Sequence, residues 1–425
     1  MSRIVMEQDE LLIDQPLNLK AIDCTPGDII HISAEMFDEE NKLFHSYASF
    51  LVKDSGIVDL AIDIPIEGTY DSEDAAGLLW SMILKETDED DYFVKKTDRN
   101  LSVKFQLRHQ EEIMDSKDIS IKFMNDDVKR LDITESGIVG NLYAPSGGGK
   151  YPSVIILSGS DGGNESHASS YLASEGYLVL ALSYFNDTGL RPNLENIELE
   201  YFKDAAAFLK SHENSNGSVN LIGYSKGAEL VLLLGEKYDG YHSIIAGAPS
   251  IHITSGMKNG MFAPITGWVQ NDAPLPFLKM KFSMRMILKS MKGWIMKKPF
   301  NFLDVWDKSL RTEKASESRI DVQKITCPLL VIAGGDDQLW PSKSHTENIE
   351  AQREDVRDKY LIYEAGGHFI SFPYNFHQMP ANVNMKIGKM TMNFGGSKKT
   401  NAKASKQSLE EILSFLHAHN EGRDV

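Results

Sequence analysis

A serine with glycine two residues away on either side, Gly223-Tyr224-Ser225-Lys226-Gly227, stands between two apolar runs, VNLIG before it and AELVLLL after it. A strand entering a sharp turn and a helix leaving it lift a hydroxyl clear of the backbone, and the turn is so tight that its flanks must be small. The helix that follows aims its N-terminus at the hydroxyl, which favours developing negative charge. A hydroxyl at neutral pH still needs an adjacent base. His368 offers one, because it follows an apolar run and two glycines in Tyr363-Glu-Ala-Gly-Gly-His. An acid to orient it comes from Leu329 to Trp340, LLVIAGGDDQLW, where the spacing Gly334-x-x-Asp337-x-x-x-Pro341 selects Asp337 and leaves Asp336 as the alternative. The order Ser, Asp, His is that of an α/β-hydrolase triad. His345, His377, His417 and His419 lie in poorer contexts, on helices or beyond a Pro-Tyr-Asn-Phe loop. An oxyanion hole completes the set: the backbone N–H of Lys226 and one from Ser158-Gly159-Ser160-Asp161-Gly162-Gly163, that of Ser160 or Asp161.

The elements needed to hold these groups can be read on both sides of residue 126. Before it, Ile29–Phe37 and Leu43–Val52 alternate apolar and polar residues. Tyr92–Lys95, Ser102–Leu107 and Ile119–Phe123 read as further strands, which predicts an antiparallel sandwich over 1–125. Ala75–Leu84 is apolar and ambiguous between helix and strand. After residue 126, strands at Ser153–Leu157, Tyr177–Ser183, Val219–Ile222, Ser243–Ala248, Pro328–Ala333 and Tyr360–Glu364 alternate with helical signals at Glu195–Leu209 and Lys226–Leu234. That rhythm predicts an α/β fold with a mostly parallel sheet over 126–425. Ser408–His419 is an amphipathic terminal helix. The stretch 251–313 breaks the pattern. It is rich in Met and Lys, and Asp272 is its only acid up to residue 303. An insertion here would cap the active site. Lys289 and Lys292 would contact an anionic substrate group, with Met284 and Met291 lining an apolar pocket; a solvated helix and a membrane-surface contact remain alternatives. The sandwich carries no candidate chemistry of its own.

The 425 residues carry a formal net charge of -17, which excludes a general affinity for nucleic acid or anionic membranes. Cys24 and Cys327 are the only cysteines and read as free thiols. No cysteine–histidine cluster has zinc spacing, so neither metal nor cofactor is expected. No apolar run is long enough to span a membrane, and the N-terminus has no signal-peptide core. A soluble, cytoplasmic setting is the expectation.

The chain also resembles the acyl-CoA thioesterase and bile-acid-CoA:amino-acid N-acyltransferase family. The likeness runs through AGLLW at Ala76–Trp80, GNLYAP at Gly140–Pro145, Ala181–Asn186, Leu199–Phe202, Gly223–Glu229, Gly335–Asp337 with Trp340, Gly367-His368, and Gly395-Gly396 leading to Ala402-Lys-Ala404. It departs at Ser-Asp-Gly-Gly, where the family more often has several glycines in succession, and in 251–313. The resemblance implies an immunoglobulin-like sandwich followed by an α/β-hydrolase domain, a Ser225–Asp337–His368 triad, and thioesters of coenzyme A as substrates. Family members that transfer acyl groups to amino acids look to use cysteine as nucleophile. Ser225 favours hydrolysis, because an acyl-serine ester reacts less readily with amines. A carboxylic-ester hydrolase or peptidase with the same triad, and an acyl-CoA:amino acid N-acyltransferase, are the alternatives.

Overall fold

Alternation in the N-terminal strands sorts their side chains onto two faces. In the computed structural model, which describes residues 2–133, 137–282, 284, 288, 291, 296, 298–387 and 390–420, β1 (Glu10–Leu12), β2 (Ile29–Phe37), β3 (Leu43–Leu51), β4 (Leu101–His109) and β5 (Glu112–Lys122) form a sheet in the order β1-β5-β4-β2-β3. Ile30, Ile32, Ala34 and Met36 of β2 and Leu101, Val103, Phe105 and Leu107 of β4 all point into one core. A smaller sheet of Arg3–Val5, Lys20–Ile22 and Val58–Asp59 lies beside it. Ala75–Leu84 divides into a short helix, Gly77–Trp80, and a strand, Ile83–Leu84, that pairs with β3.

From residue 128 onward the chain builds an eight-stranded sheet of β6 (Val128–Ile133), β7 (Val139–Pro145), β8 (Tyr151–Leu157), β9 (Leu178–Ser183), β10 (Ser215–Tyr224), β11 (Ser243–Gly247), β12 (Leu329–Gly334) and β13 (Lys359–Tyr363). Its order is β6-β7-β9-β8-β10-β11-β12-β13. Only the β6–β7 and β7–β9 pairs are antiparallel, so the sheet is mixed but mostly parallel. This is the α/β-hydrolase arrangement. The buried strands β8, β9, β11 and β12 are near-continuous apolar runs, as a sheet covered on both faces requires. On one face pack α2 (Leu199–Ser211) and α3 (Lys226–Lys237); on the other pack α1 (Ser166–Ser174) and α5 (Lys398–Asn420), while α4 (Ser342–Glu350) follows β12. The core under α1 and α5 is continuous with that of the N-terminal sheet, through Phe123, Tyr171 and Phe376.

Three expectations shift. Helix α2 begins at Leu199 rather than Glu195, because Ile197 and Glu198 pair with Trp268 and Val269 as a short strand. The terminal helix starts ten residues before Ser408, at Lys398. Its first half buries Ala402, Ala404 and Ser405, which carry no large apolar signal. Tyr92–Lys95 is extended but joins no ladder. Its backbone is held by scattered contacts instead: Phe93 N–H donates to Asn382 Oδ1 at 2.8 Å, Val94 O accepts Glu39 N–H at 3.1 Å, and the next N–H, that of Lys96, donates to Glu39 Oε2 at 2.9 Å.

Glu39 is the anchor of this segment. Its carboxylate also accepts from Lys95 Nζ at 2.6 Å, from Thr97 N–H at 3.1 Å and from the Thr97 hydroxyl. Burial alone would raise its pKa, but the Lys95 and Thr97 donors outweigh burial and bring it from 4.5 to about 2. A depressed carboxyl pKa contributes stability that is present above pH 4.5 and lost as pH falls toward 2. Glu39→Gln should therefore lower unfolding free energy at pH 7 by on the order of 3 kcal/mol. In urea titrations, the gap from wild type should narrow as pH drops below 4.5. A gap that stays constant with pH would show that the carboxylate charge contributes nothing.

Candidate active site

Ser225 ends β10 and opens α3 with φ 54° and ψ -114°, a left-handed conformation that a serine adopts only under constraint. The flanking glycines explain how the turn closes. A Cβ on Gly223 would lie 2.1 Å from the Gly227 carbonyl oxygen, and one on Gly227 would lie 2.5 Å from that of Ser158. Ser225 N–H donates to Gly247 O on the neighbouring strand at 2.8 Å.

His368 Nε2 lies 3.0 Å from Ser225 Oγ, and its Nδ1 lies 2.8 Å from Asp337 Oδ2. All three side chains are buried. Asp337 is itself held, with Oδ1 accepting from the N–H groups of Leu339 and Trp340 at 2.9 Å and Oδ2 from Ser342 Oγ at 2.7 Å. Asp336, the sequence alternative, is exposed. It accepts from Gln338 Nε2 at 2.6 Å and Gly396 N–H at 2.9 Å, away from the imidazole. The histidine loop is fixed from three sides. Tyr224 donates its hydroxyl to His368 O and accepts Ile370 N–H at 3.0 Å; Gly367 N–H donates to Asn401 Oδ1 at 2.9 Å; His368 N–H donates to Phe394 O at 2.8 Å. His345 is buried beside Trp306 and His252, with burial pulling its pKa to about 3, and His377 pairs with Asp74.

Above the serine, the loop after β8 passes within van der Waals contact: a Cβ on Gly159 would lie 3.6 Å from Ser225 Cβ. Gly159 N–H is already engaged, donating to Tyr374 OH at 2.6 Å. Among the described residues, the N–H groups of Ser160 and Asp161 meet no acceptor. Lys226 N–H, at the first position of α3, has no acceptor within its helix.

A cavity of about 780 Å³ opens over these groups. Its walls are apolar. The 251–313 stretch contributes Met257, Met261, Phe262, Phe282, Met291, Phe300 and Phe302, the triad loops contribute Leu339, Trp340 and Phe369, and the strands Asn384–Ile387 and Met390–Asn393 contribute Met385, Ile387, Met390 and Met392. Among the described residues that line it, Asp161 and His368 alone carry an ionisable acid or imidazole group. Met291 is thus at the cavity, whereas Met284 is 72% exposed and lies outside its lining. Lys289 and Lys292 lie outside the described residues.

The chain matches a family profile described as "BAAT / Acyl-CoA thioester hydrolase C terminal" over residues 197–422, and "Acyl-CoA thioester hydrolase/BAAT N-terminal region" over residues 14–135. The chain belongs to this thioester hydrolase/BAAT family. It is 26% identical to human acyl-coenzyme A thioesterase 6, over 96% of this chain and 94% of that protein. It is 25% identical to the peroxisomal succinyl-coenzyme A thioesterase of Mus musculus, over 96% and 94%. Among solved structures, an α/β hydrolase of Penicillium sp. sh18 is similar at 15% identity and TM-score 0.40, over 69% of this chain and 98% of that one. No helix among the described residues is long and apolar enough to cross a membrane.

Two parts of this family member's site went unread in the sequence. One is the hairpin of Met385, Ile387, Met390 and Met392, whose alternation across N-M-K-I and M-T-M-N was a usable strand signal. The other is a polar cluster of Lys96, Asp161, Glu165 and Tyr374, which no spacing announces because its members are scattered from residue 96 to residue 374.

The Lys226 side chain turns away from the cavity into a buried network. Its Nζ donates to Glu229 Oε1 at 2.6 Å and Thr254 Oγ1 at 2.6 Å, Thr254 Oγ1 donates to Glu229 Oε2 at 2.7 Å, and Trp268 Nε1 donates to Glu229 Oε1 at 2.8 Å. Burial lowers the lysine pKa against the opposing pull of Glu229. The network pins 254–268 to the helix that Ser225 opens. Glu229→Gln leaves a buried ammonium without its counter-charge and should cost about 3–5 kcal/mol in chemical denaturation. A loss below about 1 kcal/mol would mean that water reaches Lys226.

Proposed function

We propose that this chain hydrolyses acyl-CoA thioesters through an acyl-serine intermediate, with Ser225 as nucleophile, His368 as base and acid, and Asp337 as its orienting carboxylate. The single observation behind this reading is the unbroken relay Asp337–His368–Ser225 at 2.8 and 3.0 Å, set at the floor of an apolar cavity. His368 takes the proton of Ser225 as Oγ attacks the thioester carbonyl, and Asp337 stabilises the resulting imidazolium. The carbonyl oxygen, now an anion, is received by the N–H of Lys226 and that of Ser160 or Asp161. Collapse expels the coenzyme A thiolate, an easy leaving group, which takes the proton from His368 and returns the imidazole to its neutral form. The neutral His368 then draws a proton from water as it attacks the acyl-serine ester, and returns that proton to Ser225 Oγ as the acid is freed.

The cavity bears on which acyl group is accepted. At about 780 Å³, with Met and Phe walls, it suits a hydrocarbon chain, and among the described residues its lining offers no cation for a second carboxylate such as that of a succinyl group. Thiol release from acyl-CoAs of graded chain length should rise with length and fall by about ten-thousand-fold or more in Ser225→Ala. A variant retaining a hundredth of wild-type turnover would remove Ser225 from the mechanism.

Lys279, Lys281, Arg285, Lys289, Lys292, Lys297 and Lys298 form a run without acids in an otherwise acidic chain, suited to the phosphates of coenzyme A. The double substitution Lys289→Glu/Lys292→Glu should raise KM for acyl-CoA several-fold, roughly the value of one or two screened charge contacts. It should leave KM for a small neutral p-nitrophenyl ester unchanged. Equal effects on both substrates would remove the assignment.

A further inference from the structure

Lys96 belongs to the extended segment that Glu39 grips beside the N-terminal sheet, yet its side chain ends against Asp161, which lines the catalytic cavity. Its Nζ lies 2.5 Å from Asp161 Oδ2, against Glu165 Oε1, and 3.4 Å from Gly162 O. Tyr374 sits under the same ammonium, 5.2 Å from it at the ring centroid. The tyrosine hydroxyl donates to Asp161 Oδ1 at 2.6 Å and accepts Gly159 N–H at 2.6 Å. Asn186 Nδ2 donates to Asp161 O at 2.8 Å. Other contacts hold the ends of the loop, Tyr184 OH to Ser158 O at 2.7 Å and Gly163 N–H to Phe185 O at 3.0 Å, but at its tip the contacts of Tyr374, Asn186 and Lys96 meet at Asp161.

Resting on the acyl-serine reading above, the geometry points to Lys96 and Tyr374 as positioning residues for oxyanion binding, through which the N-terminal part of the chain sets the loop over Ser225. Two physical effects combine. Tyr374 occupies the Gly159 N–H, so the loop presents the following amide, that of Ser160, to the reacting carbonyl. Lys96 also cancels charge. Asp161 lines the cavity and Glu165 lies buried behind it with one oxygen unpartnered. Without the ammonium, the Asp161 carboxylate, although 40% exposed, would stand uncompensated beside a developing oxyanion and repel it. Burial, then the charge of Asp161, lifts Glu165 to about 7 despite Lys96, so the buried end of the cluster depends most on the ammonium.

The test uses the full-length protein and compares Lys96→Met, Lys96→Arg and Tyr374→Phe with wild type. Lys96→Met and Tyr374→Phe should each lower kcat by about 10- to 100-fold, below the loss of a whole oxyanion donor, with KM changed less than about twofold. Lys96→Arg, which keeps the charge, should retain activity within about threefold of wild type. The deciding readout is binding. A long-chain trifluoromethyl ketone, which forms a tetrahedral adduct with Ser225, should weaken by the same factor as kcat/KM, whereas a non-hydrolysable acyl-CoA thioether should bind as in wild type. Equal weakening of both ligands would mean general loosening and overturn the proposal, as would kcat within about twofold of wild type in both Lys96→Met and Tyr374→Phe. Should Lys96→Met not fold, Lys96→Met/Glu165→Gln removes one of the carboxylates left unpaired and is measured in the same way. Wild type that releases no thiol from any acyl-CoA would instead defeat the substrate reading, and the same variants would then be compared on a p-nitrophenyl ester.

Discussion

Everything in the site depends on one strained turn. A serine at φ 54° costs on the order of 1–3 kcal/mol, and it persists only where the surroundings leave no alternative. Here they do so sterically and by bonding. Gly223 and Gly227 allow the backbone of the turn to close on itself and on the Leu157 and Ser158 carbonyls, Gly247 accepts the serine's own N–H, and the serine carbonyl accepts Glu229 N–H at 3.1 Å. The buried Lys226–Glu229 pair then ties the first turn of the helix to Thr254 and Trp268. Breaking the turn would relieve the strain only by stranding charge in the core.

The imidazole is supported with similar redundancy, and its supports come from far along the chain. Tyr224, adjacent to Ser225, reaches His368 O, so the elbow and the histidine loop share one hydrogen bond. Gly367 and Gly395 approach so closely that a Cβ on Gly367 would lie 2.1 Å from the Gly395 carbonyl. Gly395 in turn packs on Asp336, and Asn401 of the terminal helix closes the set. The late Gly395-Gly396 pair is thus explained by contact between the acid loop and the histidine loop, not by any chemistry of its own.

Legibility in the sequence followed the locality of the signal. The elbow, the acid loop and the histidine turn each carry their pattern within about ten residues, and the strands β8, β9, β11 and β12 announce themselves as unbroken apolar runs. The sheet order could follow from such runs only with the fold in view. The first half of the terminal helix stayed hidden because Ala402, Ala404 and Ser405 are buried through small size, which hydrophobic periodicity does not register. Tyr92–Lys95 has strand-forming residues, but its backbone bonds are scattered, to the Asp38 and Asn382 side chains and the Glu39 backbone, and follow no neighbouring strand. The N-terminal part seemed chemically silent because Lys96 has its partners at 161 and 165, remote in sequence and adjacent only in the fold.

The division between a polar floor and apolar walls has a consequence for how such a site works. Fixed N–H groups and a paired imidazole act more strongly where water is scarce, since no solvent dipoles compete or reorganise. The Met and Phe walls supply that dryness, while the flexible thioethers of Met257, Met291, Met385 and Met392 let the cavity fit its contents without disturbing the floor. Rigidity and adaptability are therefore carried by different segments. The triad and its loop are held by ion pairs, tight glycine contacts and the N-terminal anchor, whereas the walls come from an insertion and a hairpin outside the central sheet. Changes in the walls can alter which acyl group enters while the relay from Asp337 to Ser225 keeps its geometry.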